Sequence, residues 1–250
     1  MGTAFIGTGR IFLAQYSDSA VFEGRKFSFL ENSSAFEISN ADDPKSLMSY
    51  TSAAGGIDAK VDRIKEASGK IDLRHLSVSN LATALWGTTT TLNTTAITGE
   101  SGYKIVPNMF LPTKRLINTS VAPVVKKGAT VILTADYTVS AGGILISPTI
   151  TTGTVVSGDA ITIDYTPLAS ADVQSLLSAA PDVSIMFEGV NAVDGKYNIV
   201  KIWKAKLGAA TNLSLIGEDF ATLSLPFAIQ LDSSIVAAGK SQFYQIEQAT

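Results

Sequence analysis

Alternation of apolar and polar residues constrains this chain more than any other feature. Over residues 220–231, Ala221, Leu223, Leu225, Phe227, Ile229 and Leu231 fall on one side of an extended backbone, while Thr222, Ser224 and Gln230 fall on the other. A period of two marks a β-strand with one buried face, because a helix would scatter the same residues around its axis. Pro226 lies inside the run and has no N–H for a ladder, so it marks an edge, a bulge or a crossing between sheets. A second such segment forms a hairpin. Residues 183–188 and 196–207 flank Asp194-Gly195, a dipeptide suited to the positive φ angles of a tight turn.

Shorter strands are expected near 10–16, 26–30, 35–39 and 58–76, the last with a break at Ser68-Gly69. One segment reads as a helix: Ser77 can cap it, Val78, Leu81, Ala82 and Leu85 form its stripe, and Gly87 ends it. Lesser helical turns are expected at 170–177, ahead of Pro181, and at 212–216. Between 108 and 167 the texture changes to Thr, Val, Ile and Gly, with turn glycines at Gly128, Gly142-Gly143, Gly153 and Gly158. Strands are expected there at 131–133, 144–146 and 160–165. Flanked by Pro107, Pro112 and Pro167, this stretch reads as an inserted accessory β unit within a host domain made of 1–107 and 168–250. The fold class is therefore mainly β with one flanking helix. Segment 40–57 reads as a long loop carrying Asp42-Asp43-Pro44, Tyr50-Thr51-Ser52 and Gly55-Gly56. Loops of that length tend to be functional or ordered by a partner.

Composition narrows the function. Of 250 residues, 46% are hydrophobic and only 16% charged, against about 25% in an ordinary soluble domain, which suggests surface covered by partners. The 19 basic and 22 acidic residues give a net charge of -3 without any basic run, which disfavours tight nucleic-acid binding. Absence of cysteine excludes disulfides, thiolate metal sites and a cysteine nucleophile. The first ten residues lack a signal-peptide pattern, and no apolar run approaches the roughly eighteen residues of a membrane span. A histidine-based triad would need His75, the only histidine, but it sits in a strand pattern beside Arg74 just before the helix cap and reads as structural, and a zinc site would have to rest on carboxylates alone. The stretch from Ile6 to Arg10, Ile-Gly-Thr-Gly-Arg, lacks the third glycine of a dinucleotide fingerprint and the Lys-Ser/Thr of a phosphate loop. Asp42-Asp43 and Glu218-Asp219 remain as carboxylate pairs, and the first more simply opens a turn at Pro44. The expectation is a non-enzymatic chain with no catalytic, cofactor or metal residues. Its open strand edges and apolar patches would be completed by other copies of itself.

The order of several motifs supports that expectation. Phe27-Ser28-Phe29-Leu30-Glu31-Asn32 leads to Ala35-Phe36-Glu37-Ile38-Ser39, then through the polar segment to Gly55-Gly56-Ile57-Asp58-Ala59. Ser77 and Asn80-Leu81-Ala82-Thr83-Ala84-Leu85-Trp86-Gly87 follow, and the second half contains Phe187-Glu188-Gly189, Asp194-Gly195-Lys196 and Leu213-Ser214-Leu215-Ile216-Gly217-Glu218-Asp219-Phe220. In this order the chain resembles the tail tube proteins of long-tailed bacteriophages. The resemblance implies a tail-tube-type β-sandwich or barrel with an Ig-like inserted unit. It also implies hexameric rings, stacked into a hollow tube through which genomic DNA is ejected. Tape measure, tail terminator and baseplate or tip proteins would be partners, in a virion tail assembled in the bacterial cytoplasm without a membrane. DNA would pass without sequence-specific binding, and neutral or acidic lumen side chains would repel phosphates within the ~8 Å Debye length of physiological salt. Asp42, Asp43, Pro44, Met48, Tyr50, Gly55 and Gly56 are the candidate contacts between subunits or rings. Rival readings are a secretion-system injection tube, a surface adhesive β protein, and a carbohydrate-active enzyme using paired acids.

Overall fold

The computed structural model describes every residue except 1–3, 5, 19–20, 52–55 and 218. Strand accounts for 49% of the chain and helix for 5%, so the chain is mainly β. It divides into two compact units, residues 1–89 with 173–250, and residues 90–172. The first unit opens with β1 (Gly7–Gln15), the short β2 (Ser28–Phe29) and β3 (Ser33–Asp42). β4 (Lys45–Met48) pairs with β5 (Ile57–Val61), and β6 (Ile64–Leu73) then returns along β3. The break expected at Ser68-Gly69 lies instead at Asp62-Arg63, and Gly69 is an interior position of β6. Its lack of a side chain is needed there, because a Cβ would overlap the Glu37 carbonyl and the Phe227 ring. α1 (Val78–Ala84) starts as expected, with Ser77 Oγ accepting from the Asn80 N–H at 3.3 Å. β7 (Thr88–Leu92) follows it and carries the chain out of the first unit.

The second unit contains β8 (Ile97–Lys104), β9 (Phe110–Pro112), β10 (Val124–Lys127), β11 (Thr130–Val131), β12 (Tyr137–Ser140), β13 (Gly143–Ile146) and β14 (Ala160–Tyr165). They form two sheets, β11-β10-β14-β8 and β12-β13-β9, whose inward residues share one core around Ile105, Val125, Ile144 and Ile163. This unit begins at Thr90, earlier than the expected Asn108, because β8 pairs with β14 in the register Tyr103↔Ile161 and Glu100↔Ile163. The chain returns in β15 (Ser170–Gln174). That segment was expected to be helical. It is extended because it pairs with β7, whose four consecutive threonines favour a strand.

β16 (Asp182–Asn191) and β17 (Tyr197–Leu207) form the expected antiparallel hairpin, with Gly195 at φ +72° in its turn. β18 (Leu223–Gln230) and β19 (Tyr244–Gln248) complete a sheet of order β2-β1-β16-β17-β18-β6-β3, with β19 added on β17. Among the described residues none of the sheets is closed. Leu223, Leu225, Phe227 and Ile229 are buried as their alternation requires, whereas Ala221 and Leu231 lie beyond the strand. Pro226 falls just past the last β17 partner of the strand, Phe227↔Leu207, and its carbonyl accepts from the Gly208 N–H at 2.8 Å. On the inner face Phe36 of β3 stacks on Phe187 at 5.2 Å and on Phe227 at 6.1 Å, which draws the edge strand over the sheet. Residues 212–216, expected to turn helically, form no helix and make an isolated bridge, Leu213↔Leu223.

Candidate functional site

Segment 40–57 is not an irregular loop over its described residues. β3 and β6 run on past the end of the buried sheet, and β4 and β5 prolong them as an antiparallel ribbon in the register Lys45↔Val61, Ser46↔Lys60, Leu47↔Ala59 and Met48↔Ile57. Backbone bonds from Asp43 N–H to the Arg63 carbonyl and from Ser49 N–H to the Gly56 carbonyl, both 2.8 Å, tie the ribbon at its base and near its tip. From Asn40 to Met48 this arm extends roughly 25 Å at the usual strand rise. Every residue of β4 and β5 is exposed.

Such exposure conflicts with the side chains present. The cross-strand register places Leu47 and Val61 on one face and Met48 and Ile57 on the other, so both faces carry apolar groups. A ribbon belonging to a solitary domain would be polar on any face that met only water. Tyr50, 88% exposed near the tip, and Ile64 at the base extend the apolar surface. Its charges are largely matched within the arm, Lys45 with Asp43 at 3.0 Å and Lys60 with Asp62 at 2.9 Å. Exposed pairs of this kind contribute little energy, but they leave the arm without a strong field of one sign.

Six of the seven residues singled out in the sequence lie on this arm or at its base. Asp42 ends β3, Asp43 and Pro44 join it to β4, Met48 ends β4, and Tyr50 and Gly56 flank the tip, with Gly56 at φ +135°. Gly55 lies outside the described residues. Leu47, Ile57, Val61 and Ile64 were missed. The alternation of Ile57, Ala59 and Val61 was a signal for part of this surface, whereas Leu47 and Met48 are adjacent and fell within the segment read as a loop.

A second exposed apolar surface lies at 212–222, where Leu215, Ile216 (95% exposed) and Phe220 (87% exposed) face solvent. Arg74 holds this loop by donating to the Phe220 carbonyl at 3.2 Å. The first unit also has two open strand edges. β1 pairs with β2 only at Phe12↔Phe29 and Leu13↔Ser28, and β3 pairs only with β6. A cleft of about 650 Å³, lined by Gly7, Gly9, Ser34 and Phe36 among others, lies between those edges.

The chemistry-bearing residues are dispersed by comparison. His75 is exposed 3.4 Å from Glu31, with its carbonyl accepting from the Asn80 amide at 3.2 Å. Asp43 is engaged by Lys45, and Asp219 lies on the exposed loop. No group of three His, Asp or Glu able to hold a metal occurs among the described residues. Nor is any helix long and apolar enough to cross a membrane, among the same residues. The carboxyls with lowered pKa in the second unit serve its own fold. Burial raises that of Glu100, but bonds from Tyr103, from Tyr165 (2.6 Å) and from the Lys114 N–H (3.0 Å) outweigh it.

A protein-family model described as "Protein of unknown function UCP028589" matches residues 4–247. The chain belongs to this family. The match spans the arm and the second unit alike, so both fall within the stretch that defines family membership. No curated protein matches the chain.

Proposed function

We propose that this chain is a structural subunit that assembles with its own copies into stacked rings forming a hollow tube, of the kind found in tails of long-tailed bacteriophages. One observation carries the proposal: a two-stranded arm with apolar side chains on both faces, every residue of its β4 and β5 exposed in a single copy. Transferring one such side chain from water is worth about 1.5–3 kcal/mol, a driving force that a single chain leaves unused. Open edges on β1 and β3 offer unpaired backbone groups for sideways contacts, and repeating one sideways interface closes a ring. A conduit for nucleic acid should not retain its cargo, which suits the net charge of -3 and the lack of a basic run. The proposed fold is accordingly the tail-tube-type β-sandwich or barrel, its open sheet completed by neighbouring subunits.

Removing residues 48–55 tests the arm directly. The shortened chain should keep its β circular dichroism and its unfolding transition while losing the ability to form tubes in electron micrographs. Unchanged tubes would remove the arm from the account.

A further inference from the structure

β18 and β19 are two stretches of one interrupted strand. β18 ends with Gln230 opposite Lys204 of β17, β19 begins with Tyr244 opposite Ile202, and residues 231–243 leave the sheet between them. The detour lies where β17 is bulged, since Val183 faces Ala205 while Ile185 faces Ile202, so Trp203 and Lys204 together oppose Ser184. At the bulge the Trp203 carbonyl accepts from Arg25 at 2.8 Å and from Ser184 Oγ at 2.9 Å. Arg25 also donates to Ser184 Oγ at 2.6 Å and lies 3.7 Å from Asp232, the second residue of the detour. The Asp232 carboxylate accepts from Tyr16 Oη at 3.0 Å and from the Ser234 hydroxyl at 2.6 Å. Its N–H donates to the Gln242 carbonyl at 2.9 Å, which closes the neck of the loop.

This buried pair is built unlike the buried acids of the second unit. Both carboxylate oxygens of Glu100 and of Asp136 accept hydrogen bonds. Asp232 Oδ2 and Arg25 Nε, by contrast, are buried without a hydrogen-bond partner among the described residues. Unmet buried groups cost free energy, so the pair holds less firmly than its burial suggests. β19 has few other attachments. Ile246, Glu247 and Gln248 are exposed, while Phe243 and Tyr244 are only partly buried against the core. Trp203 Nε1 donates to the Ser241 carbonyl at 2.9 Å, and Tyr244 Oη accepts from Asn40 Nδ2 at 3.0 Å.

We propose that residues 232–248 form a strap, latched by Arg25 at Asp232, which opens as a unit while the rest of the first unit stays folded. Opening uncovers β17 from Asn198 to Ile202, a row of backbone donors and acceptors that β19 alone covers on that side. Closed, the strap withholds this part of the sheet from pairing with other chains. Open, it presents an edge suited to an extended segment. The latch is internal to one copy and holds whether or not the chain assembles.

Amide hydrogen exchange of the full chain measures the opening directly. The bonded amides of Asp232, of β19 and of Ala249 should exchange together, roughly 100-fold faster than those joining β16 to β1 and β18 to β6. Asp232→Asn should speed the strap about tenfold further and leave the other strands unchanged. A reversible lock supplies the second arm of the test. The chain has no native cysteine, and Ile199 lies directly opposite Glu247, so Ile199→Cys with Glu247→Cys can be joined by oxidation. Oxidation should slow the strap to the rate of β16, and reduction should restore it. Strap amides that exchange no faster than β16 in the unmodified chain would overturn the proposal, as would a lock without effect. Asp232→Asn that speeds every strand alike, leaves the strap unchanged or fails to fold would overturn the latch, by making the pair a fixture of the whole unit or irrelevant to the strap.

Discussion

Asp136 is fully buried in the second unit, where it accepts from the backbone N–H and side-chain hydroxyl of both Thr151 and Thr152 at 2.5–2.8 Å. Burial pushes the carboxyl up, but the four bonds outweigh it and hold it at about 2, below its ordinary 3.8. A group depressed on folding stabilises above its unfolded pKa and loses that contribution as pH falls through its folded one. Asp136→Asn should therefore cost about 2 kcal/mol at pH 7. The gap between variant and unmodified chain in denaturant unfolding should narrow as pH falls from 4 toward 2, and a constant gap would contradict the assignment. Gly69 supports the first unit in a different way. Phe227 lies over it just as Phe187 lies over the paired Gly9 and Gly189, so three glycines form the floor on which the aromatic stack rests. Gly69→Ala should destabilise by about 2 kcal/mol in the same measurement, through overlap with the Glu37 carbonyl. Its glycine made Gly69 look like a strand break in the sequence. The ring that requires it comes from residue 227, a contact that no local pattern reveals.

Among the elements, the long strands were the most legible. β16, β17 and β18 carry sustained alternation and a strong Asp-Gly turn, so local rules and tertiary burial agree there. The arm was legible only as a place. Asp42-Asp43-Pro44 reads as a turn in the sequence, but the chain runs on through it from β3 into β4, and Leu47, Met48 and Ile57 are extended, held by pairing across the ribbon. β15 was misread as helical because its partner β7 lies some eighty residues earlier in the chain. Exposed apolar residues on the arm yield a prediction at this scale. Leu47→Asp combined with Met48→Asp should leave the unfolding free energy of the isolated chain within about 0.5 kcal/mol of the original, since neither side chain is buried. The same pair should abolish stacking as judged by sedimentation velocity. A large loss of stability would instead place the arm within the fold of its own chain.

At the scale of the whole molecule, the low charge fraction and the exposed strand edges pointed toward assembly, and the ordered motifs supplied its proposed form. Composition could not specify which surfaces meet, because exposure depends on where strands end in space. An apolar contact also responds to salt in a characteristic way. Raising sodium chloride from 50 to 500 mM should leave assembly unchanged, and added sulfate should strengthen it, whereas a contact built on ion pairs would weaken with screening. Sedimentation across that series distinguishes the two. The most direct measurement is negative-stain electron microscopy of the purified full-length chain over a range of concentrations. Rings of uniform diameter that stack into hollow tubes are the expected result, and a species that stays monomeric at the highest concentration would contradict the account.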